Sequence, residues 1–161
     1  MKEKRGGGCL CGKIRYEAIG KPKIVGACHC RYCQLRSGSA FGLLVYFDEN
    51  KVSVTSGKCK EYRFKSESGT YWSNKFCSDC GTTVIWNLEV FEGLTGIAGG
   101  TFDPPTFWFD VKAEVFTRSK AHFVGEITAE HHTSTYQFYK PKITEQGRLI
   151  WNSDEKNRMD S

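Results

Sequence analysis

The sequence predicts a mainly β protein, built from short antiparallel strands with very little helix. Apolar and polar residues alternate over short stretches, most clearly in 13–18, where Ile14, Tyr16 and Ala18 share one face. Turn-forming residues separate these stretches, for example at 20–22 and 103–105. No long segment has the 3.6-residue period of an amphipathic helix.

Eight segments have the composition expected of strands. They are 13–18, 23–27, 41–47, 51–55, 61–65, 71–76, 82–86 and 111–117. The one predicted helix is short, spans 31–37 and is closed by Gly38.

A length of 161 residues fits one domain, 1–161. We expect a core over about 6–124 and a C-terminal appendage over 125–161, because the composition turns polar after 124. The last ten residues are too charged to pack, which predicts a frayed end. Several apolar residues of the appendage are expected to dock on the domain: Tyr136, Phe138, Tyr139, Leu149, Ile150 and Trp151.

Composition narrows the classes of partner. The net charge is +5, and the basic residues are spread along the chain, which argues against a nucleic-acid partner. The longest apolar stretch, 40–47, is far short of the roughly 20 residues that cross a bilayer, so no membrane association is expected. The first residues contain no apolar run, from which we expect no cleaved signal peptide and a cytoplasmic protein. The oligomeric state is left open.

Cysteine spacing predicts metal binding. Disulfides are rare in the cytoplasm, so eight cysteines need another explanation. Seven of them form three short motifs: Cys9-x-Cys11, Cys28-x-Cys30-x-x-Cys33 and Cys77-x-x-Cys80. Cys59 stands alone between two lysines and is expected to be a free thiol.

The number of sulfurs separates two kinds of zinc site. Positions i and i+2 of a strand lie on one face, about 6.6 Å apart, and Cys-x-x-Cys converges from a tight turn, with Gly81 suited to positive φ. Cys9 and Cys11 with Cys77 and Cys80 therefore supply the four thiolates of a closed structural zinc site. A set of three remains, and three protein ligands with an open fourth position are typical of catalytic zinc. That set is Cys28, Cys30 and Cys33, which makes two zinc ions per chain.

Two alternatives stay open at this point. Cys59 can complete a second four-cysteine site, which would make both zinc ions structural, or Cys30 and Cys33 can form a redox pair. His29 lies between two ligands and is expected on the opposite strand face, in a supporting or surface role. The other histidines, His122, His131 and His132, are expected at the surface.

Several motifs in order resemble a known family. They are Gly8-Cys9-Leu10-Cys11-Gly12, Cys28-His29-Cys30-Arg31-Tyr32-Cys33, Gly38-Ser39-Ala40-Phe41, Phe76-Cys77-Ser78-Asp79-Cys80-Gly81 and Gly100-Thr101-Phe102-Asp103. Over about 8–123 the chain resembles the glutathione-dependent formaldehyde-activating enzymes, a carbon–sulfur lyase family related to centromere protein V. It departs from that family at Glu114, where His is frequent, and at His122-Phe123, where Pro-Trp is frequent.

The resemblance implies a β-tent zinc fold and the same two ligand sets, one structural and one catalytic. It implies a reaction that joins formaldehyde to glutathione as S-(hydroxymethyl)glutathione and runs in reverse as a lyase. Arg31 and Arg36 flank the proposed catalytic site and are expected to bind glutathione's carboxylates. No catalytic residue is predicted beyond the ligands of the second zinc. The alternative is a non-enzymatic zinc scaffold that binds a protein or a nucleic acid.

Overall fold

A computed structural model describes residues 2–142, so Leu149, Ile150, Trp151 and the predicted frayed end lie outside the described residues. The described strands are Lys4–Gly8 (β1), Arg15–Ile19 (β2), Ile24–Cys28 (β3), Gly42–Asp48 (β4), Val52–Ser56 (β5), Cys59–Lys65 (β6), Tyr71–Cys77 (β7), Thr83–Leu88 (β8), Leu94–Ala98 (β9), Ala113–Val115 (β10) and His131–His132 (β11). One α-helix, Arg31–Ser37 (α1), follows β3, and four single turns of 3-10 helix lie at Glu49–Lys51, Glu89–Phe91, Gly99–Thr101 and Thr117–Ser119.

The strands form two sheets. A small antiparallel sheet has the order β1-β2-β5, and a larger sheet has the order β11-β10-β3-β4-β9-β8-β7-β6. Pairing in the larger sheet is antiparallel except at β10, which runs parallel to both β3 and β11. The predicted fold class, mainly β with very little helix, is confirmed for the described residues.

Buried side chains form two clusters, and alternation along β4 separates them. Val45 and Phe47 belong to the first cluster, which also contains Tyr16 of the small sheet. Tyr46 points the other way into the second cluster, which contains Trp86 and the cysteines beside α1. Each cluster includes cysteines at its edge, so the candidate metal ligands belong to the core packing.

All eight predicted strands and the predicted helix are present, with shifts of a few residues at their ends. Three strands were not predicted: β1 and β9, in which glycines weaken the strand pattern, and the two-residue β11. Close packing explains these glycines. A Cβ on Gly7 would lie 2.2 Å from Tyr16 Oη, and a Cβ on Gly96 would lie 2.2 Å from Trp86 Nε1.

The described part of the segment after 124 also contacts the core. β11 extends the larger sheet, and the Thr133 amide donates to the Glu114 carbonyl at 2.9 Å. Tyr136 and Tyr139 pack against the second cluster, and Phe138 contacts Phe91, as was expected of these aromatic residues. The boundary at 124 stays a prediction.

Within residues 2–142, no helix is long and apolar enough to span a membrane.

Candidate metal sites and adjoining cavities

The first cysteine cluster joins two loops that are far apart in sequence. Cys9 and Cys11 lie between β1 and β2, and Cys77 and Cys80 lie at the end of β7 and in the turn after it. The four sulfurs lie within 4.8 Å of one another; Cys9 and Cys11 are 3.5 Å apart, and Cys11 and Cys77 are 3.7 Å apart. Tetrahedral zinc with Zn–S bonds of about 2.3 Å places its sulfurs about 3.8 Å apart. The four cysteines therefore fit one zinc ion.

Local hydrogen bonds fix both loops. The Cys9 amide donates to the Ile14 carbonyl at 3.1 Å, and the Ile14 amide donates to Cys9 Sγ at 3.2 Å. In the other loop the Gly81 amide donates to the Cys77 carbonyl at 2.9 Å, and Gly81 has a φ of +76°, as the turn requires. The Leu10 amide donates to Thr82 Oγ1 at 3.2 Å and so connects the two loops.

The pKa values of these thiols differ widely, because four sulfurs this close cannot all carry a negative charge without a cation. Hydrogen bonds from Thr82 lower the pKa of Cys80 to about 5. A hydrogen bond from the Lys13 backbone favours ionisation of Cys11, but burial and the neighbouring thiols together raise its pKa to about 12. Four sulfurs this close do not all ionise at neutral pH unless a cation lies between them.

The second cluster is contiguous in sequence and entirely buried. Cys28 ends β3, Cys30 caps the N-terminus of α1, and Cys33 lies in its first turn; none is more than 4% exposed. Their three sulfurs lie within 4.8 Å of one another, and the Cys33 amide donates to Cys30 Sγ at 3.3 Å. Hydrogen bonds from Cys28 and Cys30 lower the pKa of Cys33 well below its usual value. These three cysteines also fit a metal ion, with no fourth ligand among the described residues.

Cys59 does not join the second cluster. It begins β6 and is the register partner of Cys77, which places it beside the first cluster. Burial raises the pKa of the Cys59 thiol, which favours the protonated form. The alternative in which Cys59 closes the three-cysteine site is therefore not supported by its position.

The two arginines predicted to bind substrate lie in different surroundings. Arg36 Nη2 is 3.5 Å from Cys33 Sγ, and its guanidinium lies 3.6 Å from the ring centroid of Trp86. Its Nη1 is buried without a hydrogen-bond partner among the described residues. Arg31 Nη1 lies 3.5 Å from Gln34 Oε1, and Arg31 lines a different, more open groove. A carboxylate-binding role for either residue stays a prediction.

A buried charge network beside the second cluster was missed. His29 is fully buried, and its Nε2 lies 2.8 Å from Glu114 Oε1. Lys120 Nζ lies 2.7 Å from the same oxygen, and His132 Nδ1 lies 2.6 Å from Oε2. Burial raises the pKa of Glu114, but the bonds from Lys120, His132 and His29 outweigh it and lower the pKa to about 2. His132 lies at the surface as expected, but its ion pair with Glu114 was not predicted. The sequence did contain one sign of this network, because Glu114 is a charged residue within an otherwise apolar strand.

Two cavities adjoin the second cluster. The smaller one has a volume of about 100 Å³, and Cys30 and several aromatic rings line it. The larger one is a groove of about 560 Å³ that Arg36, Gly42 and Cys80 line. A Cβ on Gly42 would lie 3.7 Å from Cys33 Sγ, so this groove approaches the second cluster near Cys33. Of the three cysteines only Cys30 lines a cavity directly, whereas the cysteine that lines the larger groove is Cys80 of the first cluster.

The fold and these clusters define a mainly β protein with two cysteine sites suited to metal ions. The chain belongs to the family described as glutathione-dependent formaldehyde-activating enzyme, whose model matches residues 4–119. Among solved structures, a Rhodobacter sphaeroides protein determined by structural genomics has a similar fold, with a TM-score of 0.50 at 17% identity. The match covers 62% of this chain and 88% of that one. No curated protein matches the sequence significantly.

Proposed function

We propose that the protein is a zinc-dependent carbon–sulfur lyase that acts on thiol adducts of small aldehydes, of the S-(hydroxymethyl)glutathione type. The observation that carries this proposal is the buried cluster of Cys28, Cys30 and Cys33, which has three candidate ligands and adjoins a cavity through Cys30. Family membership supports the choice of glutathione and formaldehyde. A glutathione-dependent reaction fits a cytoplasmic location, where thiols stay reduced.

Two zinc ions per chain are proposed, each held by one cluster. Cys9, Cys11, Cys77 and Cys80 hold a structural ion, and the three buried cysteines hold the second. When bound, the second zinc supplies a coordination position for a substrate thiol and favours its thiolate form. The remaining contributions come from the side chains and cavities around the cluster.

Arg36 compensates charge at the second cluster. Three thiolates and a divalent cation leave one net negative charge, and the guanidinium beside Cys33 offsets it. Stacking on Trp86 fixes the guanidinium plane, and Nη1 keeps a donor for a substrate carboxylate. Binding of glutathione's carboxylates by Arg36 and Arg31 remains part of this proposal.

The groove beside Arg36 is the proposed binding site for glutathione. Its volume of about 560 Å³ is within the range of roughly 300–1,000 Å³ that pockets for such ligands occupy. Ser37, Ser39 and Thr83 add hydroxyl groups to its wall, which suit the amides of a peptide. The thiol end would then lie at the second zinc, next to the cavity that Cys30 lines.

The test is exchange spectroscopy by NMR on glutathione mixed with formaldehyde, with elemental analysis of zinc. Thiols add to formaldehyde unaided, so the measured quantity is the rate of adduct exchange above the protein-free rate. We expect wild type to accelerate exchange and to contain two zinc ions. Cys30→Ser should lose the acceleration and one zinc, and Cys59→Ser, a matched control outside both clusters, should retain both.

A wild-type protein with two zinc ions and no acceleration contradicts the enzyme and favours the zinc scaffold. Salt-dependent binding to DNA or RNA would then identify the class of partner. Loss of one zinc in Cys59→Ser would give Cys59 a ligand role and would contradict the ligand sets of this proposal.

A further inference from the structure

Two residues that line the smaller cavity have buried polar atoms that lack partners. Glu67 lines the cavity, is only 3% exposed, and its Oε2 is buried with no hydrogen-bond partner among residues 2–142. Trp72 lines the same cavity, and its indole Nε1 is buried without a partner there. The remaining wall is largely aromatic: Tyr32, Phe91, Phe116, Tyr136 and Tyr139. An acceptor and a donor without partners thus share one cavity with Cys30.

The backbone around Glu67 is held in place independently of its carboxylate. Residues 66–70 form the turn between β6 and β7, where the Ser66 amide donates to the Thr70 carbonyl at 2.9 Å. The Lys142 amide donates to the Glu67 carbonyl at 2.7 Å, and the Lys140 amide donates to Ser68 Oγ at 3.1 Å. These contacts hold the backbone around Glu67 and do not involve its Oε2.

A carboxylate buried in this way is unfavourable for stability. Transfer of an unpaired acceptor from water to an apolar site has a cost that a hydrogen bond would otherwise offset. Buried polar groups without partners are uncommon in folded proteins, so each one calls for an explanation. A ligand that supplies both missing partners would provide one.

The size and polarity of the cavity define that ligand. A volume of about 100 Å³ is well below the roughly 300–1,000 Å³ of sites that enclose a whole drug-sized molecule, so only a small molecule or one end of a larger one fits. A hydroxyl group donates one hydrogen bond and accepts others, which matches one carboxylate acceptor and one indole donor. A single carbon bearing one hydroxyl, the hydroxymethyl end of a thiol adduct, has both properties.

We propose that this cavity binds the hydroxymethyl end of the adduct and that Glu67 is the catalytic residue that accepts its hydroxyl proton. The inference rests on the proposed function and deepens it. In the lyase direction the Glu67 carboxylate takes the hydroxyl proton, the O–H electron pair forms the C=O bond, and the C–S bond breaks with its electron pair on sulfur. The products are formaldehyde and a thiolate. In the reverse direction protonated Glu67 returns the proton to the carbonyl oxygen, to which Trp72 donates.

The experiment compares wild type, Glu67→Gln and Glu92→Gln in the exchange assay, together with zinc content and melting temperature. Glu92 is an exposed carboxylate away from this cavity and serves as the matched control. Loss of a general base lowers rates by about 10²–10⁴-fold, so Glu67→Gln should lose on the order of 10²-fold or more. Its two zinc ions should remain, and its melting temperature should equal or exceed that of wild type, because a neutral amide is easier to bury.

A second measurement needs no variant of Glu67. In ¹⁵N-labelled wild type, the Trp72 indole N–H resonance, identified with Trp72→Phe, should shift when glutathione and formaldehyde are added together. Glutathione alone should leave it in place. This measurement, together with Glu67→Asp, decides the matter if Glu67→Gln does not fold.

Two results would overturn the inference while the proposed function stands: wild-type exchange in a folded Glu67→Gln, or an unchanged Trp72 resonance. Absence of acceleration by wild type overturns the proposed function itself, and this inference with it. The wild-type measurement therefore separates the two failures.

Discussion

The two cysteine clusters differ in burial, sequence separation and ligand number. The first joins residues more than sixty positions apart and keeps two of its four cysteines partly or fully exposed. The second draws three cysteines from six consecutive positions, and all three are buried among aromatic rings. The cluster with the full set of ligands is thus the more exposed one. A site with four protein ligands can stabilise the fold even where it is partly exposed. A site with only three is buried, and only cavities give access to it.

The largest difference between the two clusters is expected when one candidate ligand is mutated in each. Structural zinc contributes about 10–16 kcal/mol in small finger peptides, as much as the ~5–15 kcal/mol net stability of a domain. Cys80→Ser should therefore leave the protein insoluble or without a cooperative melting transition. Cys30→Ser should keep the β-sheet circular dichroism and the first zinc, because its ligand set closes only a short loop. Equal unfolding of both variants would make the second zinc structural.

The buried carboxylate of Glu114 lies beside the second cluster, and its charge predicts that the stability of the fold depends on pH. The pKa of Glu114, about 2 against an ordinary value of 4.5, is depressed on folding. The stabilisation, on the order of 3 kcal/mol, is therefore present above pH ~4.5 and is lost as the pH falls towards ~2. Urea unfolding at several pH values should show wild type exceeding Glu114→Gln by about this amount near neutrality, with the difference shrinking below pH ~4.5.

Glu130→Gln is the control for that measurement. Glu130 forms an exposed ion pair with Lys112 at 2.6 Å, and such pairs contribute about 0–1 kcal/mol. A difference between wild type and Glu114→Gln that stays constant down to pH ~2 would contradict the role of charge.

A smaller loss of stability is expected from a substitution that disturbs the close packing of Trp86, on which Arg36 stacks. A Cβ on Gly96 would lie 2.2 Å from Trp86 Nε1, and Trp86 stacks on Arg36. Gly96→Ala should destabilise the fold by about 1–3 kcal/mol, as overpacked cores do. Gly100→Ala, where a Cβ meets nothing within 4 Å, should change stability by less than about 0.5 kcal/mol. Thermal melting of both variants tests this, and equal melting temperatures would contradict it.

The smallest effect is expected at Cys59. It lies beside the first cluster without belonging to its set of four. Cys59→Ser should keep both zinc ions and lower stability by less than about 1 kcal/mol, since the side chain is half-buried. Zinc analysis and urea unfolding measure the two quantities, and a missing zinc would assign Cys59 a ligand role.

Features set by local sequence were predictable. Cysteine spacing indicated which sulfurs come together, because short motifs in strands and turns fix local geometry, and the helix was delimited by Cys30 and Gly38. β1 and β9 were missed, because their glycines make room for Tyr16 and Trp86, which lie on neighbouring strands.

The environment of the second cluster was the least predictable part. Glu67 lies in a turn, where an exposed carboxylate is the ordinary expectation, and backbone contacts with residues 140 and 142 accompany its burial. Glu114 is buried because Lys120, His132 and His29 converge on it from separate segments. No short window of sequence contains either set of partners.

The walls of the small cavity come from two different parts of the chain. Cys30 and Trp72 lie inside the family-matched range 4–119, whereas Tyr136 and Tyr139 come after it. The candidate metal ligands therefore lie within the family-matched range, whereas part of the wall of the cavity proposed to hold the aldehyde lies outside it. Exchange of this downstream stretch between relatives would change which aldehydes are accepted while the cysteines stay untouched, so selectivity can diverge within the family without a new metal site.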